Sequence, residues 1–362
     1  MRSSVGVLAT STSRGALTLS QAGMPIVLVL LSLVFYVDNS AFLSAANVRA
    51  ILIAVSYVGI IAVGQTLLLV GGEFDISVGA NAGLSSLLSG WLMTTHHLPV
   101  AVAVLGGLAC GAFIGLINGL LVVRVGLPAF IATLGMFYAA GGMTQLLTHG
   151  YPIYPLPKIV GKIGAANVFW GLGWSIVVLI VLAVVADQAL RRTAIGRHLY
   201  ATGADKEVAR LVGINTSAYK ISCFVLTGTL SALAGLLVMA SLASATTSIG
   251  QGWELYVIAG CIVGGVSLFG GEGTIVAGIV GTLLIQAIES GLVVIGVNPN
   301  WQEVAVGVVM VSAVVLDLLR RKLSARGLVA RAEAQQLHGE GGPSAYERVP
   351  AKQAVSDQGE AS

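Results

Sequence analysis

Long apolar stretches separated by short polar breaks dominate this chain. A helix that crosses a bilayer needs about 20 mostly apolar residues. Read on that length, ten segments qualify, at 22–38, 49–70, 76–94, 99–123, 128–148, 168–189, 218–241, 253–269, 274–294 and 302–319. The pattern predicts an all-α polytopic membrane protein with about ten transmembrane helices. The segment at 76–94, "ISVGANAGLSSLLSGWLMT", is too rich in Ser, Gly and Asn to face lipid and is expected among other helices. Between the second and third segments lies "VGGEFDISVG" (70–79), which puts Glu73 and Asp75 beside three glycines. The chain is otherwise sparing with charge.

Composition supports the membrane class. The chain of 362 residues is 56% hydrophobic and only 10% charged, with a mean hydropathy of +0.90, whereas soluble domains carry about 25% charged residues. The 47 glycines suit helices that pack closely in lipid. A net charge of +3 is too small to suggest a nucleic-acid partner. Cys110, Cys223 and Cys261 sit singly in apolar runs and offer neither a disulfide framework nor metal spacing. No cleavable signal peptide is evident.

Basic residues concentrate on short cytoplasmic loops. With the N-terminus inside, fourteen Lys and Arg up to Arg331 fall on the inner side and three (Arg49, Lys158, Lys162) on the outer side. Both termini are therefore expected to be cytoplasmic. Residues 1–21 then form a cytoplasmic N-terminal segment and 22–322 the transmembrane domain. Residues 323–362, polar and without apolar periodicity, are expected to be a disordered cytoplasmic tail. An echo between "NGLLVVRVGLPAF" (118–130) and "SGLVVIGVNPNW" (290–301) places related stretches on opposite faces, as an inverted repeat would.

One inner loop is long, at 190–217. Asp205 is a good helix N-cap, and Glu207, Ala209 and Arg210 follow on a short helix that ends at Gly213. A helix this short is not stable alone in water. It must rest on the membrane domain or on a partner.

"EVARLVG" (207–213) resembles the E-A-A-x-x-x-G signature of ABC importer permeases, with Val208 at the first Ala. The longer "GRHLYATGADKEVARLVGIN", with "GGEFDISVG" (71–79), "NGLLV" and "LPAFIATLG" (118–135) and "GGVSLFGGEGT" (264–274), resembles the permeases of ribose-type sugar importers. The resemblance covers about 45–320 and extends more distantly to branched-chain amino acid permeases. It departs at Glu73-Phe74, where the family has an apolar residue between glycine and aspartate. It implies a subunit of the bacterial inner membrane that pairs with a second permease, identical or related. A cytoplasmic ABC ATPase would use ATP and Mg, and a periplasmic or lipid-anchored binding protein would deliver a ribose-like pentose or a hexose. It implies coupling to the ATPase through Gly203, Asp205, Glu207, Ala209, Arg210 and Gly213. The chain has no G-x-x-x-x-G-K-[ST] loop, so no cofactor is expected on it and it is expected not to be an enzyme.

The carboxylates of 70–79 leave two readings. Asp75 and Ser77 either cap the next helix at a wet turn, or they line a membrane break that serves as substrate path or gate. Candidates for such a path are Asp75, Asn81, Asn118, Phe130 and Thr133. Interhelical hydrogen bonding competes as the role of the polar ones, and packing competes for Phe130. Trp253 and Glu254, near the expected outer surface, are candidates for docking the binding protein. Glu289, inside a span, is expected to face the bundle. Other functions stay open: the same machine carrying branched-chain amino acids or nucleosides, or a proton-coupled secondary transporter using Asp75 or Glu289.

Overall fold

The structure, a computed structural model, describes residues 12–298 and, intermittently, residues between 301 and 318, with side chains from 24 onward. They fall within one compact unit that runs to Asp317, apart from Leu318. The expected tenth segment lies partly, and the tail almost wholly, outside the described residues. The helices are α1 (Thr12–Asp38), α2 (Ala45–Val70), α3 (Val78–Thr94), α4 (Val100–Leu120), α5 (Ala129–Thr148) and α6 (Lys158–Gly164). They continue with α7 (Trp174–Arg192), α8 (Ala194–Ala204), α9 (Lys206–Leu211), α10 (Thr216–Leu242), α11 (Trp253–Gly264) and α12 (Ile275–Val294). The described residues are mostly helical and carry only isolated bridges in place of strands.

Six helices among the described residues are long and apolar enough to cross a membrane: α2, α4 with its π-helical extension to Val125, α5, α7, α10 and α12. The ten-segment expectation located the apolar helices but overstated three of them, α7 among these, which begins at Trp174 where a span from 168 was expected. Helix α11 stops at Gly264 where a span to 269 was expected, because Gly265 takes a left-handed φ of 101°. Its 12 residues cover about 18 Å, well short of a hydrocarbon core of about 30 Å. Helix α3 begins only at Val78, after an irregular stretch at 71–77.

Helix α2 is the central post, and its neighbours are α7, α10, α11 and α12. Ile60, Ile61, Leu68 and Leu69 on it are fully enclosed. Helix α3 is also enclosed, as its composition requires: Asn81, Ser85, Ser86 and Ser89 are all inaccessible. Close approach is clearest between α4 and α10. A Cβ on Gly111 would overlap the Gly228 carbonyl and one on Gly115 the Phe224 carbonyl. Gly119 continues the row against Ile221. Lipid tails are as apolar as the helix surfaces, so such backbone contact, not hydrophobic burial, holds two membrane helices together.

Candidate functional site

At one end of the bundle α7 runs into a charged arm, α8–α9. Thr193 starts α8, accepting from the Gly196 N–H at 3.4 Å. Asp205 then closes α8 and opens α9, its Oδ1 accepting from the Glu207 and Val208 N–H groups at 2.9 and 3.0 Å. These two bonds satisfy donors that a helix start leaves open. Glu207 and Arg210 pair at 3.4 Å on an exposed face, worth a few tenths of a kcal/mol at most. Arg210 Nε also donates to Thr216 Oγ1 at 3.1 Å, tying α9 to the start of α10. Gly213, with φ 84°, ends the arm in the left-handed region that favours glycine. Ala209 is buried against the bundle, while Val208, Leu211 and Val212 project outward. Leu211 is 86% exposed, the most open of the large apolar residues among those described. Six residues could not hold this shape alone; two caps, the Arg210 tie and the Ala209 contact do.

The arm is keyed into the bundle by backbone. A Cβ on Gly203 would overlap the Val70 carbonyl and come within 2.7 Å of the Gly271 nitrogen. The Gly271 N–H donates to that same Val70 carbonyl at 2.9 Å, and Gly270 faces the Gly203 carbonyl and Gly72. Tyr200 Oη adds a bond to the Gly273 carbonyl at 2.6 Å. Three of the sequence motifs, 71–79, the loop around 203 and 264–274, thus meet at one junction: the end of α2, the end of α8 and the turn before α12. Displacing the arm must displace that junction.

Around it lie the carboxylates Glu73 and Asp75. Glu73 Oε1 is 2.7 Å from Lys220 Nζ on α10, with both side chains mostly enclosed. Sequence reasoning missed this partner. Its signal was a cation at the very start of an apolar span, which normally has a carboxylate to answer it. Asp75, fully buried, accepts through Oδ1 from the Ser77 N–H and hydroxyl at 2.7 and 2.6 Å. Its Oδ2 accepts from Asn118 Nδ2 at 3.1 Å, and that amide also donates to Ser77 Oγ at 2.9 Å. The α2–α3 turn is thereby pinned to the end of α4.

The other path candidates are dispersed. Asn81 bridges α3 to both partners of the glycine seam, donating to the Gly111 and Gly228 carbonyls at 3.3 Å, and it accepts from Ser85 at 3.0 Å. Thr133, buried, bonds back to the Ala129 carbonyl in its own helix, while Phe130 is half exposed. Trp253 is partly buried at the start of α11. Glu254 turns inward toward Gly79 and is buried, so its carboxylate does not stand on this chain's surface. Glu289 accepts from Gln286 at 2.6 Å within α12.

A family described as "Branched-chain amino acid transport system / permease component" matches residues 47–314. The chain belongs to that family. Among its relatives is the fructose import permease protein FrcC of Rhizobium meliloti, 34% identical over 84% of this chain and 88% of the relative. The ribose import permease protein RbsC of Bacillus subtilis is 35% identical over 82% and 92%. The autoinducer 2 import system permease protein LsrC of Salmonella typhimurium is 33% identical over 77% and 80%. This places the chain with the sugar-type ABC importer permeases: a multi-pass inner-membrane transport subunit that has no catalytic ATPase site of its own.

Proposed function

We propose that this chain is the membrane-spanning permease of an ABC importer that carries a monosaccharide, a ribose-like pentose or a hexose, with both termini and the α8–α9 arm in the cytoplasm. A periplasmic or lipid-anchored binding protein delivers the solute, a second permease subunit completes the pore, and a separate ATPase pair supplies the energy from ATP and Mg. The observation that carries this reading is the arm itself. An apolar tip, Val208, Leu211 and Val212, is held outward by caps at Asp205 and Gly213. Its other side is locked by Gly203 onto the ends of α2 and of the turn before α12. Closure of the ATPases presses the tip, and the junction transmits the displacement to α2 and α3, changing which side of the membrane the pore faces. The subunit makes no covalent bond; it converts a movement into a change of access.

Two further points support the cargo. Two of the three relatives carry sugar names, and the motif stretches around 203 and 264–274 resemble the ribose type most. The family description favours one competitor, branched-chain amino acids. Uptake of labelled ribose, fructose and leucine in parallel by the reconstituted transporter separates the two. Docking is tested by Leu211→Asp, at the most exposed position of the tip: the ATPase is expected to be lost while membrane insertion is retained.

A further inference from the structure

The chain between α10 and α11, residues 243–252, is not helical, yet it does not stay at the end of the bundle. Helix α10 has 27 residues, a length of about 40 Å. Ser231 Oγ donates to the Val78 carbonyl, which sets the first turn of α3 beside the middle of α10, and Gly235 packs against Ala82. Gly250 in turn lies on Gly79, and a Cβ on Gly83 would come within 2.7 Å of the Ile249 carbonyl. The 249–250 segment is therefore level with 231–235 on α10. That level is roughly 10–16 Å short of Leu242, at the 1.5 Å rise of a helix. A hydrocarbon core of about 30 Å centred on α10 starts about 5 Å from its end. The segment thus reaches about 5–11 Å inside the core.

Its side chains at that depth are polar and open. Ser248 and Gln251 are exposed, and Thr246 and Thr247 are half-buried. Thr246 and Ser248 bond to each other at 2.9 Å, and Gln251 Nε2 donates to the Thr247 carbonyl at 3.1 Å. Irregular backbone does not face lipid at this depth; it is tolerated only inside protein or against a water-filled cavity. The open side chains exclude burial within this chain for Ser248 and Gln251. Glu254, which follows at once, is turned away and buried, so no carboxylate from this segment stands on the open surface.

We propose that residues 246–251, with the partly open Trp253 at their end, line the aqueous path of the transporter and contact its solute. Hydroxyl and amide groups beside one aromatic ring, without a charge, suit a neutral polyhydroxyl solute that offers both hydroxyls and an apolar C–H face. The assignment rests on the importer reading and gives it a place in the chain that differs from Asn118 and Thr133.

The test uses the intact complex with its ATPase and a background in which Cys110, Cys223 and Cys261 are replaced by Ala. Ser248→Cys and Gln251→Cys are exposed to a charged methanethiosulfonate reagent, next to Phe113→Cys on the open apolar face of α4 and Tyr151→Cys in the loop before α6. Each unit by which hydrocarbon raises a thiol's pKa removes about tenfold of the reactive thiolate. Both test sites are expected to react at least about tenfold faster than Phe113→Cys, and their rates to change between nucleotide-free and vanadate-trapped complex while Tyr151→Cys does not change. Rates no higher than at Phe113→Cys would overturn the proposal. Reaction that is fast but identical in the two nucleotide states would overturn it as well, because a wet surface outside the path behaves so. Failure to recover any ATPase would instead count against the importer reading, and the comparison with Phe113→Cys would still decide whether the segment meets water.

Discussion

Removing one member of the Glu73–Lys220 pair should damage the protein far more than removing both. The two atoms are 2.7 Å apart and the side chains only 17% and 9% exposed. At an effective dielectric of 20 their attraction is about 6 kcal/mol. Desolvation costs several kcal/mol for each ion, so the pair contributes little net stability. Lys220→Met alone strands a carboxylate beside the junction and should cost about 3–5 kcal/mol, and Glu73→Gln alone a similar amount. In the double variant both desolvation costs disappear, and stability should return to within about 1–2 kcal/mol of the parent or exceed it. The assay is thermal loss of monodisperse protein in detergent for all four members of the cycle. Single variants as stable as the parent would show that water reaches the pair. A double variant as unstable as the sum of the singles would show that the two side chains hold the fold through contacts other than each other.

Further outcomes follow from the junction and the seam. Gly203→Val should destabilise by about 1–3 kcal/mol or more through overlap with the Val70 carbonyl, seen as reduced yield of folded protein; normal yield and transport would mean that the arm is not keyed as described. Gly115→Leu should separate α4 from α10 and lower melting temperature in detergent, whereas Gly141→Leu, with open space around it, should not. Asp205→Ala removes two cap bonds and should cost the α9 turn about 1 kcal/mol; ATP hydrolysis should become poorly coupled to uptake while membrane insertion is unchanged. Asp75→Ala should leave the Ser77 N–H without its acceptor, at about 1–3 kcal/mol, read as earlier thermal aggregation.

Much of this was legible in the sequence for physical reasons that act locally. Apolar length located the helices, and the Asp205 and Gly213 caps located α9, because a cap is decided by residues a few positions apart. What sequence could not supply was depth. The run at 253–269 has the composition of a span, but Gly265, with a positive φ, ends the helix early, which makes α11 a half-length helix. Partners far apart in sequence were equally out of reach. Glu73 and Lys220 are 147 positions apart and Asp75 and Asn118 are 43; nothing in either local stretch names the other. Glu254 was expected near a docking surface because its neighbour is a tryptophan, yet the descent of 243–252 carries it into the bundle beside Gly79.

Under the importer proposal, α9 is where a separate ATPase holds this subunit. Leu211 is the residue to change, since it is 86% exposed and packs little against its own bundle. Co-purification from native membranes in mild detergent, followed by ATP hydrolysis of the recovered complex, is the measurement. A buried apolar anchor at a contact of this kind is worth about 2 kcal/mol or more, so Leu211→Asp should weaken recovery about thirtyfold or beyond, with permease yield unchanged. Equal recovery of an active ATPase with the parent and with Leu211→Asp would contradict the claim.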